Sequence, residues 1–392
     1  MRVLALLALL SQALAAPVLH LRGEVQGPLV LSTPGLVVEG AVLRGGRGHT
    51  LSLLAPGIRV RGLRVVGAGP GEDFFEPDAA IYLRGCGGCV LEDIRVEGAP
   101  TAVRAEDSEG LKVRRLRARG LGTSPGVLIY ASPQALVEES GLEGFVDGIY
   151  VEYSPGLRLL GNLLQGNTRY GFHVMFTWEA RVEGNFSRGN AVGNALMHGV
   201  RNSVRGNRLE AHTSPVGYGL LVQDERGSRV LENRFSGNAL GLVLMDAQGV
   251  EVRGNRYQAN GTALRLTREV RSNSAQIREN VFLGNLYDLL VDDPQAQAQV
   301  EGNAYDRAPP LPVPHLPASS FALLLARQPE LSLFALSPGV VLWEAAEAQV
   351  PELRLLSLVD KKAKAVPRRA GLDPSLVLLG LAGGLLWWRW RS

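Results

Sequence analysis

Seven short runs of alternating aliphatic and polar residues end in asparagine, at Asn162, Asn185, Asn207, Asn233, Asn255, Asn280 and Asn303, separated by 23, 22, 26, 22, 25 and 23 residues. Alternation with period two is the pattern of a half-buried strand, and a repeat of this length is one turn of a solenoid. The register continues upstream in weaker form through Ala41, Leu63, Asp93, Leu116 and Ser140, each preceded by Val three residues earlier. About twelve coils result. The pattern predicts an all-β, parallel β-helix over residues 17–308.

A second asparagine follows the first by five residues, as in Asn162 and Asn167, Asn185 and Asn190, or Asn233 and Asn238. Stacked coils lie about 4.8 Å apart, so equivalent amides form columns in which each can bond to the next. These asparagines are therefore structural. His212 stands where the second asparagine of its coil is expected.

After the second asparagine comes a strand whose aliphatic positions align as Ile129, Val151, Val174, Leu196, Val222, Leu244 and Leu264. These face the core, so the next residue of each strand points outward. That outward column reads Tyr130, Glu152, Met175, Met197, Gln223, Met245 and Arg265, and it holds every methionine except the initiator. Two residues earlier stand Tyr150 and His173. One residue later stand Phe176, His198, Asp224 and Asp246. His173, Met175, Met197 and His198 are thus expected to meet on one surface patch, with Glu152 below and Met245 above.

Thioether and imidazole together suit a soft ion, Cu(I) above all. Metal–sulfur bonds of about 2.3 Å let two sulfurs on adjacent coils share one ion without backbone movement. Methionine also fills irregular apolar gaps at docking surfaces. Spacing leaves both readings open.

The net charge of +3 demands no nucleic-acid partner. Met1 and Arg2 lead into an apolar stretch and Ala13-Leu14-Ala15, so residues 1–15 read as a signal peptide and the mature chain as extracytoplasmic. Prolines at 309, 310, 312 and 314 cannot continue a ladder. Residues 309–371 are expected to leave the solenoid as a C-terminal helical or extended adaptor. Residues 372–390 read as a membrane anchor or a sorting tail; the apolar run Pro374–Trp388 is shorter than the roughly 20 residues usual for a crossing. Cys86 and Cys89 are expected to form a local disulfide in an oxidising compartment, with half of a metal site as the alternative.

The run Asn167-Thr168-Arg169-Tyr170-Gly171-Phe172-His173-Val174-Met175-Phe176, with Arg181-Val182-Glu183-Gly184-Asn185 and Val192-Gly193-Asn194-Ala195-Leu196-Met197, resembles the central signature of the NosD family. Gly302-Asn303-Ala304-Tyr305, Ser337-Pro338 and Val359-Asp360 resemble its later motifs. The resemblance runs from about residue 30 to 366. It implies a right-handed β-helix and a periplasmic role in maturation of nitrous oxide reductase during denitrification. It further implies copper, Cu(I), delivered to the copper–sulfur centre with an ABC transporter's membrane and ATPase subunits and a copper chaperone. His198 after Met197, and Gln223 in place of methionine, depart from the family's aromatic- and methionine-rich pattern. The basic run Lys361, Lys362, Lys364, Arg368 and Arg369 sits against the positive-inside tendency for a C-terminal anchor.

Two rival classes remain. A β-helix polysaccharide lyase, epimerase or hydrolase would use Glu152, Asp224 or Asp246, but no acid pair or phosphate loop stands out. A surface adhesin would leave the clustered Met and His without a role. The expectation is a non-enzyme whose metal residues are His173, Met175, Met197, His198 and Met245.

Overall fold

The computed structural model describes residues 16–293, 295–306, 321, 324, 328–334, 337–350 and 360–366. The expected signal peptide, the tail at 372–390 and most of the segment 309–371 lie outside these residues. Among the described residues no helix is long and apolar enough to cross a membrane.

From Val18 to Tyr305 the chain is a parallel β-solenoid. Successive strands fall in turn into three sheets of 13, 14 and 12 strands, and each sheet takes every third strand in chain order. Each coil therefore contributes one strand to each sheet, and all pairings are parallel. In one coil these strands are Arg158–Leu160, Leu163–Gln165 and Tyr170–Met175.

The strands are short because the corners are sharp. Gly161 and Gly166 adopt φ of 62° and 60°, a left-handed conformation that costs glycine little. Each such corner turns the following asparagine inward. Asn162 Nδ2 donates to Val137 O and to Asn185 Oδ1, both at 2.9 Å. Asn185 Nδ2 continues to Leu159 O and Asn207 Oδ1, again at 2.9 Å. The amide ladder thus satisfies backbone groups that the corners leave unpaired in a dry interior.

Upstream the first-corner column changes chemistry, running backwards from Asn162 through Ser140 to Leu116. Ser140 N donates to Asn162 Oδ1 at 3.0 Å, and Leu116 N donates to Ser140 Oγ at 3.1 Å. Asp93, assigned to this column from the sequence, is the left-handed residue one place earlier, with φ of 56°; Ile94 occupies the column and is buried. Val90, three residues before Asp93, favours the wrong count in sequence: it pairs with Lys112, while Leu91 is the partner of Val113, and the pairing of Arg95 with Arg117 places Ile94 opposite Leu116.

The interior is aliphatic for most of its length. Toward the C-terminal end Phe235, Tyr257, Phe282 and Tyr305 stack face to face, with centroids 4.9, 5.0 and 5.1 Å apart. Cys86 and Cys89 are joined in a disulfide and buried.

The chain comes back after its departure. Lys364–Ala365 pairs in parallel with Ala304–Tyr305 as the last strand of the second sheet. Residues 360–366 therefore belong to the solenoid, where the sequence reading placed them in the departing segment. A helix spans Pro338–Gln349, with the Ser337 hydroxyl accepting from Val340 N at its start.

Candidate functional site

The third sheet carries the outward column in the register Tyr130, Glu152, Met175, Met197, Gln223, Met245. The next member is Thr267, and the inward partner of Leu244 is Leu266. Arg265 and Leu264, assigned there from the sequence, stand two residues earlier, opposite Val243 and Leu242. A slip of two residues preserves the alternation, and Leu264 and Leu266 are both fully buried, so pattern alone cannot separate them.

Met175 and Met197 are direct register partners on adjacent strands. Met175 Sδ lies 3.7 Å from the Tyr150 hydroxyl, which also donates to Glu152 Oε2 at 2.9 Å. Met197 and Met245 are partly buried against Ala195, Leu221 and Val243, a small apolar cluster outside the main core. Gln223 separates them, so their backbones lie two rungs, about 10 Å, apart. Two thioethers on neighbouring rungs stand at the spacing of one shared ion; thioethers two rungs apart must lean toward each other to share one.

His173 departs from the expected exposed patch: only 6 % of it is accessible. Its ring lies 5.1 Å from that of Tyr150 and 4.6 Å from that of Tyr170. The loop of residues 67–78 reaches along the third sheet past three strands, about 14 Å. It places Phe74 edge-on to Tyr150 and under the Arg169 guanidinium, 4.6 Å from its ring centre. This cover removes the exposure that simple alternation predicts.

Beneath His173 lies Asp147, whose side chain is fully buried. Its carboxylate receives Arg169 Nε at 2.8 Å and Nη2 at 2.5 Å, Tyr170 N at 3.2 Å, and stands 3.2 Å from His173 Nδ1. His173 Nε2 is buried without a hydrogen-bond partner. Asp147 escaped the sequence reading because it lies in a turn rather than on a strand. Its signal is an acid one coil, 22 residues, before Arg169 in the same column.

His198 occupies the strand edge in a left-handed conformation, φ 56°, which matches Phe176, Asp224 and Asp246 on neighbouring coils. It stacks on Phe176 at 4.9 Å, and Phe176 stacks on Tyr153 at 5.0 Å. Its Nδ1 is 3.3 Å from Asp224 Oδ2, and Arg271 Nη1 donates to the other oxygen of Asp224 at 3.0 Å. Asp246 accepts from the backbone N–H groups of Glu269, Val270 and Arg271.

His212 takes the ladder place expected for it, with Asn190 N donating to its Nδ1 at 3.1 Å. Burial pushes its pKa down to about 4, so it is a neutral substitute for asparagine. Among the described residues no three His, Cys, Asp or Glu side chains group closely enough to hold a metal. On the third sheet His173 stands two residues before Met175 on one strand, and His198 directly follows Met197 on the next.

Residues 121–305 match the model of the family described as periplasmic copper-binding protein (NosD). The resemblance carried by the motifs is thereby borne out over that segment, which contains all five candidate residues. No curated protein matches the chain. Among solved structures the chain is similar to the periplasmic alginate epimerase AlgG, with 12 % identity, TM-score 0.55, and 70 % of this chain and 77 % of that one covered. It is also similar to PfbA, a surface adhesin of Streptococcus pneumoniae, at 10 % identity and TM-score 0.51, covering 74 % of this chain and 86 % of the other. The A-module of the mannuronan C-5 epimerase AlgE6 from Azotobacter vinelandii gives 12 % identity and TM-score 0.50, covering 75 % and 91 %. At such identities these likenesses concern the fold alone.

Proposed function

We propose that this chain, whose segment 121–305 matches a periplasmic copper-binding family, is a non-enzymatic accessory protein that takes up Cu(I) on its third sheet and passes it on for assembly of the copper–sulfur centre of nitrous oxide reductase. The observation that carries the reading is the direct pairing of Met175 with Met197 on adjacent strands. Rungs about 4.8 Å apart match two metal–sulfur bonds of about 2.3 Å. His173 and His198 supply nitrogen on either side of the pair, and Met245 is a separate station two rungs away. A copper chaperone loads the site, and an ABC transporter, through its membrane and ATPase subunits, engages the segment 309–371. The tail at 372–390 holds the protein at the membrane.

Polysaccharide chemistry is the competing reading, and the acids of this face are already engaged. Glu152 accepts from Tyr150, Asp224 is bound by Arg271, and Asp246 holds three backbone N–H groups.

The test is a Cu(I) titration of the mature chain against a chromogenic chelator, with ascorbate as the reductant. Met175→Leu/Met197→Leu conserves volume, a change that costs under about 1.5 kcal/mol even in a core. The variant is expected to fold, to lose the tight Cu(I) site and to leave nitrous oxide reductase short of its copper–sulfur centre. Binding and maturation at parental levels would sink the reading.

A further inference from the structure

We propose that Asp147 is a positioning residue that presents the Nε2 lone pair of His173 to Cu(I), making His173 the buried acceptor for an ion held by Met175 and Met197; the proposal rests on the copper reading above. Three observations lead to it. Asp147 Oδ2 is 3.2 Å from His173 Nδ1, closer than Arg169 Nη2 at 3.4 Å. Arg169 directs its Nε proton and one of its two Nη2 protons at the carboxylate, from 2.8 and 2.5 Å, which leaves the second Nη2 proton as the more distant competitor for Nδ1. His173 Nε2 is buried and has no partner.

The tautomer follows from charge. A carboxylate only accepts, so the Nδ1 facing it carries the proton and Nε2 carries a lone pair. The opposite tautomer would let Nδ1 accept from Arg169 Nη2 at 3.4 Å, but it would set that lone pair against the nearer anion and bury an Nε2–H without an acceptor. A buried polar atom left unpaired is costly, and a ligand that satisfies it explains why the cost is tolerated. Imidazoles that bind metals commonly give their other N–H to a carboxylate, which fixes the ring and raises its basicity.

The same arrangement recurs across the strand. His198 Nδ1 faces Asp224 Oδ2 at 3.3 Å, and both side chains are 32 % exposed, whereas the His173 side chain is 8 % exposed and that of Asp147 is fully buried. The methionine pair lies between the two histidines. Cargo therefore enters at the open His198 edge and comes to rest against His173.

Histidine-selective 15N NMR of the unaltered mature chain tests this directly, with His173→Gln used for assignment. The Nδ1–H tautomer is expected at His173, with its Nε2 resonance moved by Cu(I). Asp147→Asn should weaken Cu(I) binding by about 10- to 100-fold, and adding it to His173→Gln should cause no further loss. An Nε2–H tautomer, or His173 resonances untouched by bound Cu(I), would overturn the proposal even if Asp147→Asn fails to fold. If those results came while Met175→Leu/Met197→Leu still abolished binding, the thioether site would stand and the positioning role alone would fall. Parental binding by the methionine variant would remove the copper reading itself.

Discussion

Asp360 stands one rung beyond Asn303, although 57 residues separate them, and completes the first-corner column with a carboxylate. Its Oδ2 accepts from Asn303 N and Nδ2, both at 2.9 Å, and its Oδ1 accepts from Gly302 N at 2.9 Å. Asp360→Ala leaves these donors without their acceptor, at about 1–3 kcal/mol for each one that stays buried. Hydrogen exchange should show loss of protection at Gly302, Asn303 and the Lys364–Ala365 strand. Asp360→Asn, which keeps an acceptor oxygen in place, should retain most of it.

The stack of Phe235, Tyr257, Phe282 and Tyr305 fills the C-terminal core. Phe282→Ala opens a gap between two rings that cannot close without moving whole coils. A loss of about 3–5 kcal/mol is expected in denaturant unfolding. Phe282→Leu should cost less, because a flat ring is replaced by a smaller apolar group.

Glu225 gives the solenoid a pH dependence. Burial raises its pKa to about 7, against the opposing pull of its hydrogen bonds to Ser228 and Asn202. Below about pH 4.5 both folded and unfolded chains hold the proton; between 4.5 and 7 only the folded chain does. The folded state binds more protons in that window, so stability falls as pH rises through it, by roughly 3 kcal/mol in all, and levels off above. Glu225→Gln should remove this component from the difference between unfolding curves measured at pH 4.5 and 8. Gly199→Ala should destabilise at every pH, since a Cβ there would lie 2.4 Å from Thr177 O and from Glu225 Oε1.

The Cys86–Cys89 disulfide closes a four-residue loop, for which chain entropy gives about 2 kcal/mol. Both cysteines are fully buried, so the bond should resist reductant until the coil opens. Once reduced, two thiolates outrank thioethers as Cu(I) ligands. Chain reduced while unfolded, freed of reductant and refolded should therefore show a Cu(I) site absent from the disulfide form, and Cys86→Ser/Cys89→Ser should abolish only that extra site.

Repeat length, strand direction and the methionine column were legible because each depends on a pattern repeated many times. Asn162, Asn185 and Asn207 declare their coils by identity, and Met175 and Met197 follow from counting along them. Leu264 was misplaced against Leu266 because alternation cannot see a slip of two. The burial of His173 was hidden because it depends on Phe74, brought in by a loop about a hundred residues upstream that follows no repeat. Asp360 resembled no ladder residue in sequence, since a carboxylate replaces the amide and the intervening segment hides the spacing.

The solenoid also makes position on the third sheet a matter of whole numbers. Met197 and Met245 are held two rungs apart by the single coil that carries Gln223. Excising residues 198–223 would join two equivalent corners and bring a third sulfur beside the first two, with every other rung keeping its neighbours. Gain or loss of one coil in the gene thus changes the number of sulfurs on consecutive rungs in discrete steps, and the binding character of this face can be revised without redesigning any strand.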